Sequence, residues 1–163
     1  MSATNIAALA GRYSGMPVYV IASGASLDYI DHRLFAACDV IITVNETWMH
    51  VEGPVYALMH HHERAQEAID AGCRVVVSER DWGSTRWGQP ANLRGDYFSY
   101  RTGDNNMACQ IDVEALDRSE PDALVVSPCT TSEALQFAAH LGASVILCCG
   151  VDGSYAGLAL LPV

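Results

Sequence analysis

Six short, largely apolar runs recur along the chain, and small or polar residues follow each of them. The runs cover residues 18–22, 40–44, 55–59, 73–78, 123–127 and 144–149. The run at 40–44 is continuously apolar, which is typical of a strand buried on both faces of a parallel sheet. The pattern therefore predicts six strands.

Segments with helical periodicity lie between most of these strands. Apolar residues recur every three to four positions over residues 27–37, which predicts an amphipathic helix. Further helices are predicted over residues 3–13 and 63–71. A last helix is predicted to begin at Thr130, with Glu133 completing a capping box, and to end at Gly142.

Strands and helices alternate along most of the chain, which is typical of an α/β fold with a parallel sheet. We expect a Rossmann-like three-layer sandwich with a mostly parallel sheet, in a single domain over residues 1–163. The alternation fails at about residues 79–122, where we expect an irregular insertion or an active-site loop. Within that segment, residues 97–100 are a candidate short strand.

Four aromatic residues of the irregular segment allow two interpretations. They are Trp82, Trp87, Tyr97 and Tyr100. Their rings can stack on a base or a sugar, or they can be buried and pin the segment to the fold. The sequence leaves both interpretations open.

The charge balance excludes one class of partner. The 163 residues include 19 acidic and nine basic side chains, which gives a formal net charge of −10. All nine basic residues are arginine, and they are scattered along the chain. Because binding a nucleic-acid backbone needs clustered positive charge, we expect no nucleic-acid partner. The absence of lysine also excludes a Schiff base and a Walker-type phosphate-binding lysine.

Signals for targeting and association are few. The first ten residues contain no basic side chain, and no apolar run approaches the ~20 residues that a membrane helix needs. The six cysteines form no C-x-x-C pair, so buried free thiols are expected rather than a disulfide framework. We expect a soluble, cytoplasmic protein without a membrane partner, and the acidic but apolar composition leaves a homo-oligomer open.

The first strand runs directly into a turn of small residues, Ser23-Gly24-Ala25-Ser26. In an open α/β sheet this turn lies where ligands bind, and the free N–H groups of a following helix favour an anion such as phosphate. Gly24 suits a close approach of phosphate to the backbone, and an ordinary tight turn is the alternative. Ser26 can cap the following helix, bind phosphate, or do both.

Polar residues also follow the other strands, and all carboxyl ends of parallel strands meet at one edge. Those predicted to bind a ligand are Ser23, Gly24, Ala25, Ser26, Asn45, Thr131, Ser132 and Gly150, and those predicted to be catalytic are His60, His61, His62 and Asp152. Three consecutive histidines point in different directions, so we predict no metal site there. One of them can serve as an acid, a base or a substrate contact.

These residues resemble two related groups, the bacterial sialyltransferases that use CMP-sialic acid and proteins similar to 6-hydroxymethylpterin diphosphokinase. Those groups begin with an apolar strand and a G-x-G-P-S-L-like turn, where residues 22–27 here match at the second Gly, the Ser and the Leu. The same order of motifs continues with Asn45, Thr131-Ser132, the A-x-x-L-G of residues 138–142, and Gly150-Val-Asp152. The resemblance covers residues 17–60 and 124–153.

The resemblance implies a nucleotide pocket. Gly24 and Ser26 then lie near the phosphate, Ser23 and Asn45 near the ribose or base, and Thr131 and Ser132 on the other side. The sialyltransferases carry their catalytic histidine after the last shared strand, whereas this sequence has no histidine after His140. Diphosphokinase chemistry needs carboxylates that bind Mg²⁺, for which Asp152 and Glu46 are the candidates.

The expected function is binding of a nucleotide or nucleotide-sugar by a small glycosyltransferase-like transferase, with Mg²⁺ as a candidate cofactor. Two alternatives stay open, diphosphokinase-like phosphoryl transfer and a non-catalytic nucleotide-binding module. The sequence does not identify the base, the sugar or the acceptor.

Overall fold

The computed structural model describes residues 3–53, 55–79, 92–103, 120–125 and 129–152. The strands within these ranges are β1 (Thr4–Asn5), β2 (Pro17–Ile21), β3 (Ile41–Val44), β4 (Tyr56–Met59), β5 (Arg74–Ser78), β6 (Phe98–Gly103), β7 (Ala123–Val125) and β8 (Val145–Cys149). The α-helices are α1 (His62–Asp70) and α2 (Thr130–His140). Short 3₁₀ helices span Ile6–Leu9, Ala25–Tyr29, His32–Ala37 and Asn45–His50.

The strands form one sheet in the order β1-β6-β5-β4-β3-β2-β8, and β7 also pairs with β6. Every strand pair among the described residues is parallel. Neighbouring strands are closely in register at the carboxyl edge, where Ile21 pairs with both Thr43 and Cys149. The predicted α/β fold with a mostly parallel sheet is confirmed.

Both faces are covered over β2 to β5, which explains why these strands read as continuous apolar runs, whereas the edge strand β8 is largely exposed at Val145, Leu147 and Cys148. On the first face, α2 and the 3₁₀ helix Ile6–Leu9 cover alternate strand residues, including Val18, Val20, Ile42, Tyr56, Leu58 and Val76. On the second face, α1 packs on Ala57, Met59, Val75 and Val77, and the 3₁₀ helices of residues 25–37 pack on Ile21 and Ile41. These are the predicted three layers.

The predicted helix over residues 27–37 is wrong. Two 3₁₀ helices, Ala25–Tyr29 and His32–Ala37, replace it, because the backbone is extended at Ile30 and Asp31 between them. The Asp31 side chain accepts a hydrogen bond from the Arg33 N–H and caps the second of these helices. Such local side-chain bonds compete with a continuous helix.

The predicted helix over residues 3–13 is also wrong. Its first residues form β1, which pairs with β6, and the Asn5 side chain then caps the 3₁₀ helix Ile6–Leu9 by accepting a bond from the Ala7 N–H at 2.8 Å. Ile6 and Leu9 are buried in the core, as an apolar helix face requires.

The predicted irregular insertion at 79–122 needs a partial correction. Residues 98–103 within it form β6, a strand that pairs with β5 inside the main sheet. This extends the candidate strand at residues 97–100 and joins it to the core. Residues 80–91 and 104–119 lie outside the described residues, and so does the carboxyl end of the predicted strand at 123–127.

The connections on the two sides of β2 lie on opposite faces of the sheet. The chain passes from β2 to β3 through 3₁₀ helices on the second face, and it reaches β8 through α2 on the first face. A sheet whose connections reverse in this way leaves a crevice at the carboxyl ends of the strands on either side of the reversal. Here the crevice lies between β2 and β8.

None of the helices in the described ranges is both long enough and apolar enough to span a bilayer.

Leu141 directly follows α2 and is completely buried on the first face of the sheet. Truncation of a buried leucine to alanine leaves a cavity and costs about 2–5 kcal/mol. We therefore expect Leu141→Ala to lower the free energy of unfolding by that amount in a urea titration. Leu34→Ala is the matched control, since Leu34 is 63% exposed, and it should change stability by less than about 0.5 kcal/mol. Equal losses in the two variants would contradict this packing.

Candidate functional site

Two backbone turns meet at the carboxyl ends of β2 and β8. The Gly24 N–H donates a hydrogen bond to the Gly150 carbonyl at 2.7 Å. A Cβ on Gly24 would lie 2.3 Å from that carbonyl oxygen, closer than any side chain tolerates. Gly150 has a φ of +67°, and a Cβ there would lie 2.0 Å from the Ala22 carbonyl oxygen. Both positions therefore need glycine.

The side chain of Asp152 joins the same two turns. One carboxylate oxygen accepts a hydrogen bond from the Ser26 N–H at 2.7 Å, and the other accepts one from the Ser26 hydroxyl. These bonds hold the pKa of Asp152 below its usual range, so its charge is maintained at neutral pH. The backbone donor predicted to bind phosphate thus already binds a carboxylate of the chain.

The remaining residues of the first turn stay accessible. Ser23 and Ala25 are exposed on either side of Gly24, and Ala25 begins the 3₁₀ helix Ala25–Tyr29. A ligand in the crevice can reach the Ser23 hydroxyl without displacing a bond of the protein among the described residues.

Asn45 connects the next two strand ends. Its φ of 51° is left-handed, a conformation that asparagine adopts more readily than most residues. Its side-chain oxygen accepts a hydrogen bond from the backbone N–H of His60 at 3.3 Å, which ties the end of β3 to the end of β4. Asn45 therefore has a structural role in addition to the predicted ligand contact.

The three consecutive histidines separate into three environments. The ring of His62 is buried at the start of α1, where Nε2–H donates to the Ser78 carbonyl at 2.9 Å. His61 is exposed, and its ring meets that of His60 edge to face. The side chain of His60 is 18% exposed, and its Nδ1 atom is buried 3.5 Å from a carboxylate oxygen of Glu133.

Glu133 is the residue of this edge that the sequence pattern assigned wrongly. Cys129, not Thr130, is the residue that precedes the first helical residue of α2. The carboxylate of Glu133 is completely buried and accepts a hydrogen bond from the Tyr100 hydroxyl at 2.9 Å. The predicted capping box is therefore wrong. A signal was present, since Glu133 precedes Phe137 and Leu141 by four and eight residues and so lies on the buried helix face.

The start of α2 also holds a thiol of altered acidity. Burial alone would raise the pKa of Cys129, but hydrogen bonds from the Thr131 and Ser132 side chains and N–H groups lower it below its usual value. Thr131 and Ser132, predicted to contact a nucleotide, are half-buried and directed at this thiol. Thiols at helix starts commonly show this shift.

Metal ligands are not grouped at this edge. Glu46, one of the two candidate Mg²⁺ ligands, is paired with Arg64 at 3.6 Å, whereas Asp152 is held by Ser26. Across the described ranges, no group of three or more His, Cys, Asp or Glu side chains is arranged to hold a metal ion.

The aromatic residues of the predicted irregular segment differ in their placement. Tyr100 is completely buried, which favours the interpretation of aromatic burial over stacking on a ligand for this residue. Tyr97 is half-buried and packs against the core on the α1 side. Trp82 and Trp87 lie outside the described residues.

A cavity of about 310 Å³ lies at the opposite, amino edge of the sheet. Thr4, Arg12, Tyr56, Cys73, Arg74, Asp96, Tyr97 and Phe98 line it. Arg74 lies over the ring of Tyr56 at 5.4 Å and donates to the Tyr13 hydroxyl. The C-termini of α1 and α2, which carry partial negative charge, also lie toward this edge. The carboxyl edge remains the stronger candidate, because the connections reverse there.

Comparison with protein-family models, with curated proteins and with solved structures found no match. The resemblance to the sialyltransferases and diphosphokinase-like proteins therefore stays a prediction, and the site is argued from its geometry.

The contact between the two turns leads to a stability prediction. Gly24→Ala forces a methyl group against the Gly150 carbonyl and the Asp152 carboxylate, so we expect a loss of about 1–3 kcal/mol in the free energy of unfolding. The adjacent exposed variant Ser23→Ala serves as the control and should change stability by less than about 0.5 kcal/mol. A Gly24→Ala variant as stable as the wild type, measured in urea, would show that the two turns do not meet.

Proposed function

We propose that the chain binds a nucleotide or nucleotide-sugar in the crevice between β2 and β8 and transfers a glycosyl or phosphoryl group from it. One observation carries the proposal, namely the reversal of the connections around β2, with the turns of Ser23–Ser26 and Gly150–Asp152 meeting at that point. Crevices at such reversals are the usual ligand sites of open parallel sheets. Asn45 and His60 extend the same edge along β3 and β4.

The charges at this edge support a role for Mg²⁺. Asp152 and Glu133 both lie there, and two negative side chains repel a nucleotide phosphate. A divalent cation removes that repulsion, because one carboxylate together with substrate phosphates is a common way in which proteins bind Mg²⁺. Asp152 is exposed and keeps its charge, so we assign it this role.

His60 is the histidine best suited to proton transfer, because it is partly exposed and lies beside a carboxylate. In the proposed reaction, an acceptor hydroxyl attacks the transferred group, and its proton passes to the imidazole of His60. The bond between that group and the nucleotide breaks, and the nucleotide leaves with the electron pair. His61 and His62 are not assigned this step, since the first is exposed away from the carboxylate and the second is bound to Ser78.

A second candidate function is nucleotide binding without catalysis. It is favoured by the bonds between Ser26 and Asp152, which occupy the donors of the phosphate-binding turn with a side chain of the protein. Hydrolysis of a nucleotide-sugar or nucleotide by the wild type, lost in His60→Ala and kept in His61→Ala, would identify an enzyme. A binding module would show no hydrolysis in any of the three proteins.

Thermal unfolding tests the proposal directly. We expect at least one of CMP, CDP, UDP, GDP and ATP to raise Tm, since a ligand at 100 times its Kd adds about 2.7 kcal/mol to stability. Mg²⁺ should increase the shift in the wild type and have no effect on it in Asp152→Asn. Asp28→Asn, a change of an exposed carboxylate on the neighbouring 3₁₀ helix, should keep the Mg²⁺ dependence. No shift with any of these nucleotides would overturn both candidate functions.

Two serine variants test where the nucleotide binds. Ser23→Ala removes an exposed hydroxyl at the carboxyl edge, and we expect it to weaken nucleotide affinity about 2- to 10-fold, the range for one hydrogen bond. Ser144→Ala removes an equally exposed hydroxyl at the amino end of β8 and should leave affinity unchanged. Isothermal titration calorimetry measures both, and the reverse ranking would contradict the proposed site.

A further inference from the structure

A buried carboxylate lies between three elements at the carboxyl edge. Glu133 in the first turn of α2 is completely buried, and its Oε2 accepts a hydrogen bond from the Tyr100 hydroxyl of β6 at 2.9 Å. Its Oε1 is 3.5 Å from Nδ1 of His60, which follows β4, and it has no hydrogen-bond partner within the described residues. Nδ1 is itself a buried atom, so the exposed part of the His60 ring lies elsewhere.

Packing does not explain this carboxylate. The other buried residues of α2 are Ala134, Phe137 and Ala138, and Leu141 directly after the helix is also buried, so all of them are apolar. Replacement of a buried charged group by an apolar residue of similar volume is often neutral or stabilising, so the charge adds no stability by itself. A buried ionisable group in a crevice is a candidate for a functional role.

Tyr100 occupies one of the two oxygen atoms of the Glu133 carboxylate. Burial, together with the nearby Glu133, raises the pKa of Tyr100 well above its usual value, so the phenol stays protonated and donates to Oε2. Since Oε2 is engaged in this way, Oε1 is the oxygen that faces the His60 ring.

We propose that Glu133 is a positioning residue for His60, in which Oε1 accepts the Nδ1 proton and leaves the lone pair on Nε2. Nε2 is then the atom that takes up a proton from a bound ligand. An imidazole held by a carboxylate in this way has its tautomer and its orientation fixed before the ligand arrives. This rests on the proposed function, since it assigns the proton-transfer step of the same site.

Other described residues near His60 make different contacts with it. Asn45 binds the backbone N–H of His60 rather than its ring, and His61 contacts the ring at a centroid separation of 5.7 Å. The separation of 3.5 Å between Nδ1 and Oε1 exceeds a usual hydrogen bond by about half an ångström. Contacts of this kind in a ligand-free site commonly shorten when the ligand binds.

The tautomer of His60 tests the proposal without any nucleotide. Imidazole ¹⁵N shifts are measured at about pH 8.5–9, roughly two units above the ordinary histidine value, where the neutral form of a typical histidine predominates. We expect wild-type His60 to carry its proton on Nδ1. In Glu133→Gln the amide oxygen accepts from Tyr100 and the amide NH₂ donates to Nδ1, so the proton should move to Nε2.

Two further variants separate positioning from a structural crosslink. Tyr100→Phe removes the bond between β6 and α2 but keeps the carboxylate beside His60, so it should lower Tm and leave the His60 tautomer unchanged. Glu67→Gln changes an exposed glutamate of α1 and should alter neither.

Two results would overturn the proposal. One is a wild-type His60 protonated on Nε2, a measurement that needs no variant and so remains valid if Glu133→Gln fails to fold. The other is the same tautomer in the wild type and in Glu133→Gln. A fixed Nδ1 proton together with no nucleotide-induced Tm shift would support the positioning role and reject only the nucleotide.

Discussion

The close approach of Gly24 to Gly150 is the contact on which the candidate site depends. Because of this contact, the turns that follow β2 and β8 lie side by side. The Asp152 carboxylate then accepts hydrogen bonds from the N–H and the hydroxyl of Ser26. The crevice therefore contains a fixed negative charge where a phosphate turn alone would offer only donors. A negative charge at this position favours a bound cation or a ligand that donates hydroxyl hydrogen bonds.

A second carboxylate at the carboxyl edge, that of Glu133, lies next to His60. Glu133 is buried between α2, β6 and the end of β4, where it accepts a hydrogen bond from the Tyr100 hydroxyl and lies 3.5 Å from His60. Because α2 packs on the first face of the sheet, Glu133 lies beside His60, which is 73 residues earlier in the chain. The stability of that helix and the geometry of the site are thus coupled.

The sequence predicts those parts of the fold that depend on burial, and it fails where local polar bonds compete. The continuous apolar runs identify β2 to β5, because a strand covered on both faces has few polar positions. A similar run identifies the edge strand β8, although most of its residues are exposed. The helix predicted over residues 27–37 is divided in the structure because Asp31 caps a new turn, which apolar spacing does not report. Glu133 was assigned to a cap because S/T-x-x-E describes a spacing and not the direction of a side chain. The contacts of the Glu133 carboxylate with Tyr100 and His60 depend on the fold and cannot be seen in the sequence spacing.

Amide chemical-shift mapping tests most directly whether the carboxyl edge between β2 and β8 is the ligand site. A ¹⁵N-labelled chain is titrated with the nucleotide that gives the largest thermal shift, in the presence of Mg²⁺. We expect the largest shift changes at residues 23–26, 45, 60, 131–132 and 150–152. Changes concentrated instead around Arg12, Arg74 and Tyr97, which line the cavity at the amino edge, would contradict it.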